Sequence, residues 1–420
     1  MKALYALILT LLIWTVTAIS SASSTWVLTG VYVSLALRYY SVKSKQQFPS
    51  RDPLLLVALI PSISLTLYAL MFSVIEVNQY IDSDEQGRHD ALFVGGNFVY
   101  ALLSGGAIHL MARKKRMRVN YVDTIHMYSF RYIILAAWIP LGISMACYLL
   151  FFSGRDYVEI HSSHSFVAGM LLKSIYFSYA AAFLIVTNYK ISESSRVRNI
   201  LMLLAGHVVV FGLIYKLRSP AIFFALLSFF LVGRYMPRKV IIMVLGFAPF
   251  LLSAVAIARD PSLMVDKTFS LAVFAQIITF GEFVDALRFS IDYVASSGPM
   301  WGSGMIGSLL GISEPLANVY AKSISKDYFD SGGGFGFFIL GDIYANFGFI
   351  FGIVFLIFLG YQLSKLATSR FGSTASFISC VIFASAVALT RNDFGSTLRG
   401  VFYCLLTLLI LKLMTGYRKS

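Results

Sequence analysis

The sequence predicts an all-α, polytopic integral membrane protein, and three observations carry that reading. Of its 420 residues, 58% are hydrophobic and only 13% charged, and the mean hydropathy is +0.77, far above the apolar share of a soluble domain. Apolar blocks of about 17–25 residues follow one another, each long enough to cross a hydrocarbon core of about 30 Å as a helix. Basic residues concentrate in alternate connections, as the positive-inside rule requires. A transmembrane β-barrel would show strands of about ten alternating residues instead, and that pattern is absent.

Twelve spans are predicted, at residues 3–20, 24–39, 54–75, 91–112, 132–152, 165–188, 199–215, 220–233, 240–258, 336–360, 374–390 and 400–416. The first block, Leu4 to Ile19, reads as an uncleaved anchor rather than a signal peptide, because a second apolar block follows at once. The eighth span, between Pro220 and Gly233, is short enough to be tilted or partly re-entrant. Arg38 to Arg51, Arg113 to Arg131, Lys190 to Arg198, Arg234 to Lys239, Lys365 to Arg370 and Lys412 to Lys419 then share one side with Lys2, which places both termini in the cytoplasm. Most of the 20 acidic residues fall on the opposite side. The net charge of +14 is thereby spread over short cytoplasmic loops that meet anionic lipid, so nucleic acid is not an expected partner.

The chain reads as one transmembrane domain, 1–420, with one large extracytoplasmic loop, 259–335. Loops of that length carry function or structure of their own. Phe269, Val273, Phe274, Ile277, Ile278, Phe283, Val284, Leu287 and Ile291 recur at roughly helical spacing, which predicts an amphipathic helix on the membrane surface or over a cavity. Gly302, Gly304, Gly307 and Gly311 predict a turn-rich segment before Pro315. Cys147, Cys380 and Cys404 all fall in apolar blocks and share no metal-ligand spacing. His161 and His164 lie three apart but lack a third ligand.

Topology does not ask for basic residues on the outer face, so those found there are informative. Lys216 and Arg218 sit in the short turn Lys-Leu-Arg-Ser-Pro, Arg288 on the amphipathic helix, and Arg391 and Arg399 bracket Arg-Asn-Asp-Phe-Gly-Ser-Thr-Leu-Arg. A guanidinium fork gives bidentate contacts to phosphate and keeps its charge at physiological pH, so the set suits a diphosphate. The alternative is pairing with carboxylates such as Asp393 and Glu282, or snorkelling. Between Ser331 and Gly348 runs Ser-Gly-Gly-Gly-Phe-Gly-Phe-Phe-Ile-Leu-Gly-Asp-Ile-Tyr-Ala-Asn-Phe-Gly, which carries Asp342, Tyr344 and Asn346 into an apolar span. Polar groups at that depth need partners or a task. Asp342 fits either a base for a sugar hydroxyl or a strut that positions an arginine. Lys173, the one basic residue within a span, is expected to face the protein interior, and His207 fits either a packed group or a pocket residue.

The stretch Gly332 to Gly348 resembles the late motif of bacterial Wzy-type O-antigen and oligosaccharide-repeat-unit polymerases, in which a glycine-rich lead precedes an acidic-x-Tyr-x-Asn-Phe-Gly helix. Lys216 to Pro220 looks like the arginine-bearing outer turn of those proteins, and Arg391 to Arg399 like their last outer loop. The acidic position is commonly Glu in the family and is Asp342 here, a reach shorter by one methylene. The resemblance implies a GT-C-like glycosyltransferase in the bacterial inner membrane that polymerises surface polysaccharide (O-antigen, capsule or exopolysaccharide). Its substrates would be undecaprenyl-diphosphate-linked oligosaccharides and its cofactor none, with no metal. A flippase and a chain-length regulator would be its partners beside membrane lipid. It further implies Arg218, Lys216, Arg288, Arg391 and Arg399 on the diphosphate, Asp342, Asp393 or Glu282 as catalytic carboxylate, and Tyr344, Asn346, Tyr293 and Trp301 on the glycan. An O-antigen ligase would share the donor. A lipid-linked-oligosaccharide flippase or secondary transporter is the alternative of another class, and would show pseudo-symmetric halves and interrupted helices.

Overall fold

A computed structural model of the chain describes residues 53–54, 56–58, 60–62, 65, 85–112, 130–153, 166–188, 191–215, 218–235, 264–265, 268–269, 282–326, 337–369, 372–387 and 393–414. The labelled helices are α1 (Glu85–Ala112), α2 (Phe130–Cys147), α3 (Phe166–Lys173), α4 (Ile175–Thr187), α5 (Glu193–His207) and α6 (Arg218–Val232). They continue with α7 (Glu282–Ser297), α8 (Ser303–Leu310), α9 (Leu316–Ile324), α10 (Ile339–Ala367), α11 (Thr374–Ala384) and α12 (Phe394–Met414). One two-residue hairpin, β1 (Met264–Val265) against β2 (Thr268–Phe269), pairs antiparallel with Met264 opposite Phe269. The architecture is otherwise helical among the described residues.

Six segments are long and apolar enough to cross a membrane: Asp90–Ala112, Arg131–Phe152, Met170–Thr187, Glu193–Ile214, Ile339–Ala367 and Phe394–Met414. Ser219–Val232 and Thr374–Ala384 are apolar but shorter. Eight of the expected spans thus have a helical counterpart. The expected spans at 3–20, 24–39 and 240–258, and both chain ends, lie outside the described residues, and the span at 54–75 is described only in part.

The helices pack around two apolar clusters. In the first, α1, α7 and α10 bury Phe98, Leu102, Phe283, Leu287, Phe338 and Ile343. Small residues let the backbones of α1 and α10 approach: a β-carbon at Gly105 would stand 1.9 Å from Ile357 O, and one at Gly360 would stand 1.9 Å from Leu102 O. Close glycine-mediated crossings of this kind hold membrane helices together where lipid supplies no hydrophobic drive. In the second cluster, α4 runs through the middle, with Ala180 to Val186 all buried between α2, α6, α11 and α12. His207 resolves as a packed side chain: its ring stacks on Phe224 at 3.8 Å and Nδ1 lies 2.7 Å from Leu203 O.

Two helices end in wider turns. α2 passes into a π segment, Tyr148–Phe152, and α5 into another, Val208–Ile214. Both converge on the buried ring of Tyr215, which packs against Tyr148, Phe152 and Phe211 and donates its hydroxyl proton to Ser144 O at 2.7 Å.

Several boundaries differ from expectation. Of the expected amphipathic helix, Phe269 lies in β2 and Glu282–Ser297 is helical, and the apolar face of that helix is buried against α1 and α10 rather than lying on a membrane surface. The glycine-rich stretch before Pro315 is not all turn: α8 forms there, with Gly302 and Gly311 left-handed at its two ends. The last span starts at Phe394 instead of residue 400, because Asp393 caps it.

Candidate functional site

The Ser331–Gly348 motif supplies the centre of the site. Its described part opens α10, and Gly348 breaks the helix with φ 67° and ψ −167°. A left-handed φ of that kind suits glycine, because a β-carbon would be strained there. The interruption divides α10 into a short first segment bearing Asp342 and Asn346 and a longer second one.

Asp342 and Asn346 lie one turn apart on one helix face, and each reaches a different neighbour. Asp342 is 2% exposed and Asn346 fully buried. Asp342 Oδ1 accepts from Asn346 Nδ2 at 3.0 Å, while Oδ2 accepts from the backbone N–H of Phe394, the first residue of α12, at 2.9 Å. Asn346 Oδ1 accepts from Met305 N, in the first turn of α8, at 3.2 Å. Beside the break, Ala345 O accepts from Met300 N at 3.0 Å. Both side chains therefore satisfy helix N-terminal amides that have no partner within their own helix.

Asp393 completes the junction. It is 3% exposed, and Oδ1 accepts from Ser396 N at 2.8 Å, the bond of an N-cap on its own helix. The same oxygen accepts from the Ser308 hydroxyl of α8, and Oδ2 accepts from the Ser396 hydroxyl. Gly395 permits the contact, since a β-carbon there would stand 2.4 Å from Met305 O. Both carboxyl groups thus sit at the N-terminal end of α12, where backbone amides lack partners within the helix. Every carboxylate oxygen of the pair is engaged, so the arrangement is built to hold α8, α10 and α12 together.

Of the basic residues singled out, Arg399 belongs to this junction. It lies in the second turn of α12 rather than in a loop, and its Nε donates to Leu309 O at the end of α8 at 3.1 Å. That leaves Nη1 and Nη2 beside Gly311. Arg288 sits on α7, with Nε 3.8 Å from Asp292 Oδ2 and Nη1 buried without a hydrogen-bond partner. Arg218 and Glu282 are the first residues of α6 and α7, and their side chains lie outside what the structure describes. Lys216, Arg391, His161 and His164 lie outside the described residues altogether.

The aromatic residues divide. Tyr344 is half-buried against Phe98 at 6.1 Å, and Tyr293 rests partly buried near Phe289 at 6.3 Å. Trp301 is 63% exposed, meets Phe351 edge-on at 5.4 Å, and has φ 53°. A bulky residue in the left-handed region is strained, and such strain gathers at ligand-binding positions.

No protein-family model, curated protein or solved structure matches the chain. The site is therefore read from its own chemistry. Lys173 departs from expectation: it is exposed, and its ammonium sits 5.4 Å above the Tyr403 ring. Ser308 and Ser396 were not legible as site residues, although Asp393 with Ser396 three positions on carries the spacing of an N-cap.

Proposed function

We propose that the chain is a membrane glycosyltransferase of the Wzy type that joins undecaprenyl-diphosphate-linked repeat units at the outer face of the inner membrane. One observation carries this reading: Asp342 of the glycine-rich motif grips the backbone of Phe394, five residues before Arg399, so that two of the three motifs bearing the resemblance meet in space. In the reaction, a hydroxyl of the incoming unit attacks the anomeric carbon of the growing chain. A glycosidic bond forms, the anomeric C–O bond to diphosphate breaks, and undecaprenyl diphosphate leaves with the hydroxyl proton on its freed oxygen. Charge builds on the leaving diphosphate, which is where fixed guanidinium groups contribute most. Since the oxygens of Asp342 and Asp393 are committed to helix amides and hydroxyls, catalysis rests on that electrostatic stabilisation, with the carboxylates positioning the cationic helix.

The break at Gly348 supports a second reading, because interrupted helices line the sites of secondary transporters and flippases. Deleting the gene and resolving extracted surface polysaccharide on a gel separates the possibilities. Single capped repeat units without a ladder are expected. Long chains left on the lipid carrier would indicate a ligase, and units trapped inside a flippase. Arg218→Ala and Arg391→Ala are each expected to abolish the ladder while the protein remains in the membrane, and full ladders in both variants would overturn the diphosphate clamp.

A further inference from the structure

Beside Arg399, on the same face of α12, lies a cluster that the junction does not use. Tyr403 follows Arg399 by one helical turn. Its ring stands 5.5 Å from that of Tyr176 on α4 and lies beneath the ammonium of Lys173, at the end of α3, at 5.4 Å. The Tyr176 hydroxyl is within electrostatic reach of Arg399 and faces Gly400, where even an added β-carbon would remain 3.8 Å away. Thr407 fixes the two helices in register by donating to Tyr176 O at 3.2 Å.

The charges of this cluster are unbalanced. Arg288 pairs with Asp292 and Lys322 with Glu314, and neither pair involves Lys173 or Arg399. Lys173 and Arg399 both belong to segments long and apolar enough to span a membrane. A cation there is costly unless it meets an anion or reaches the interface, and a ring face offsets only part of the cost. Two cations and two phenol donors, from three helices, match the oxygens of a phosphoryl group. Lys173 lies in the first turn of its spanning segment and Arg399 in the second turn of its own, each near the N-terminal end.

We propose that Lys173, Tyr176, Tyr403 and Arg399 bind the phosphoryl group of a membrane lipid, the diphosphate of the lipid-linked substrate. The identity of that lipid rests on the transferase reading, whereas the site itself does not. Lys173 supplies a point charge, Arg399 a planar fork, and the two phenols hydrogen bonds, with the lipid chain running along the outside of α3 and α12.

The test uses the full chain in phosphatidylcholine nanodiscs, titrated separately with undecaprenyl diphosphate and with phosphatidylglycerol, with bound lipid read by native mass spectrometry. Lys173→Met is expected to weaken retention of undecaprenyl diphosphate about tenfold, the loss of one charge-assisted contact. Lys173→Arg should restore most of it. Weakening seen with undecaprenyl diphosphate alone supports both the site and the transferase reading. Weakening seen with phosphatidylglycerol, alone or equally, supports the site and assigns it to phospholipid headgroups, and then the substrate reading fails while the site stands. Equal retention of both lipids by the wild type and Lys173→Met, or Lys173→Arg as weak as Lys173→Met, overturns the proposal.

Discussion

Asp342→Ala is expected to destabilise the protein and silence it together. The substitution strips the acceptor from the Phe394 amide and from one Asn346 donor in a site that is 2% exposed. A buried donor left without a partner costs about 1–3 kcal/mol. Release of α12 displaces Arg399, and with it the bond to Leu309 O that holds the end of α8. Thermal unfolding of the detergent-solubilised protein measures the first effect and chain growth in a deletion strain the second. Asp342→Asn separates the two roles of the carboxylate: it keeps one oxygen for Phe394, so a strut predicts partial stability with partial activity. A variant as stable as the wild type and wholly inactive would make Asp342 a base instead.

The second large effect is expected at the α1–α10 crossing. Gly105→Leu places a branched side chain where even a β-carbon would stand 1.9 Å from the Ile357 carbonyl, a backbone group that cannot rotate aside. The two helices must separate along the core that also seats α7, and the expected outcome is loss of folded protein from the membrane fraction, scored by the monodisperse peak in detergent. Gly142→Leu serves as the contrast, since nothing lies within 4 Å of a β-carbon there, and it should accumulate normally. Equal accumulation of both variants would show that the crossing is not a close contact.

Much of the helical frame was legible because long apolar blocks declare themselves by length alone. α1, α2, α4, α5, α10 and α12 each fall within a predicted span or extend it. What length could not give was where helices begin. α12 starts six residues early because Asp393 caps it, and α5 starts at Glu193 because Ser192 accepts from Ser195 N. The face of α7 was legible but not its setting: a helix with one apolar side is compatible with a membrane surface or a packed core, and the burial of Phe283, Val284 and Leu287 decides for the core.

The candidate site was legible as residue types and not as partners. That Asp342 and Asn346 share a face follows from helical spacing. That they reach Phe394 and Met305, 52 and 41 positions away, does not, because hydrogen bonds between distant segments leave no periodic trace. Lys173 was misplaced for a related reason: burial was inferred from the cost of a charge in lipid, whereas a tyrosine ring from α12 lies beneath it.

The central claim is that this chain forms glycosidic bonds between lipid-linked repeat units. The direct measurement places the purified full-length protein in lipid vesicles with a synthetic undecaprenyl-diphosphate oligosaccharide and follows the glycan by mass spectrometry. The account predicts a ladder of whole repeat units and one undecaprenyl diphosphate released for each bond formed. Unchanged repeat units, whether retained or moved across the bilayer, would contradict it.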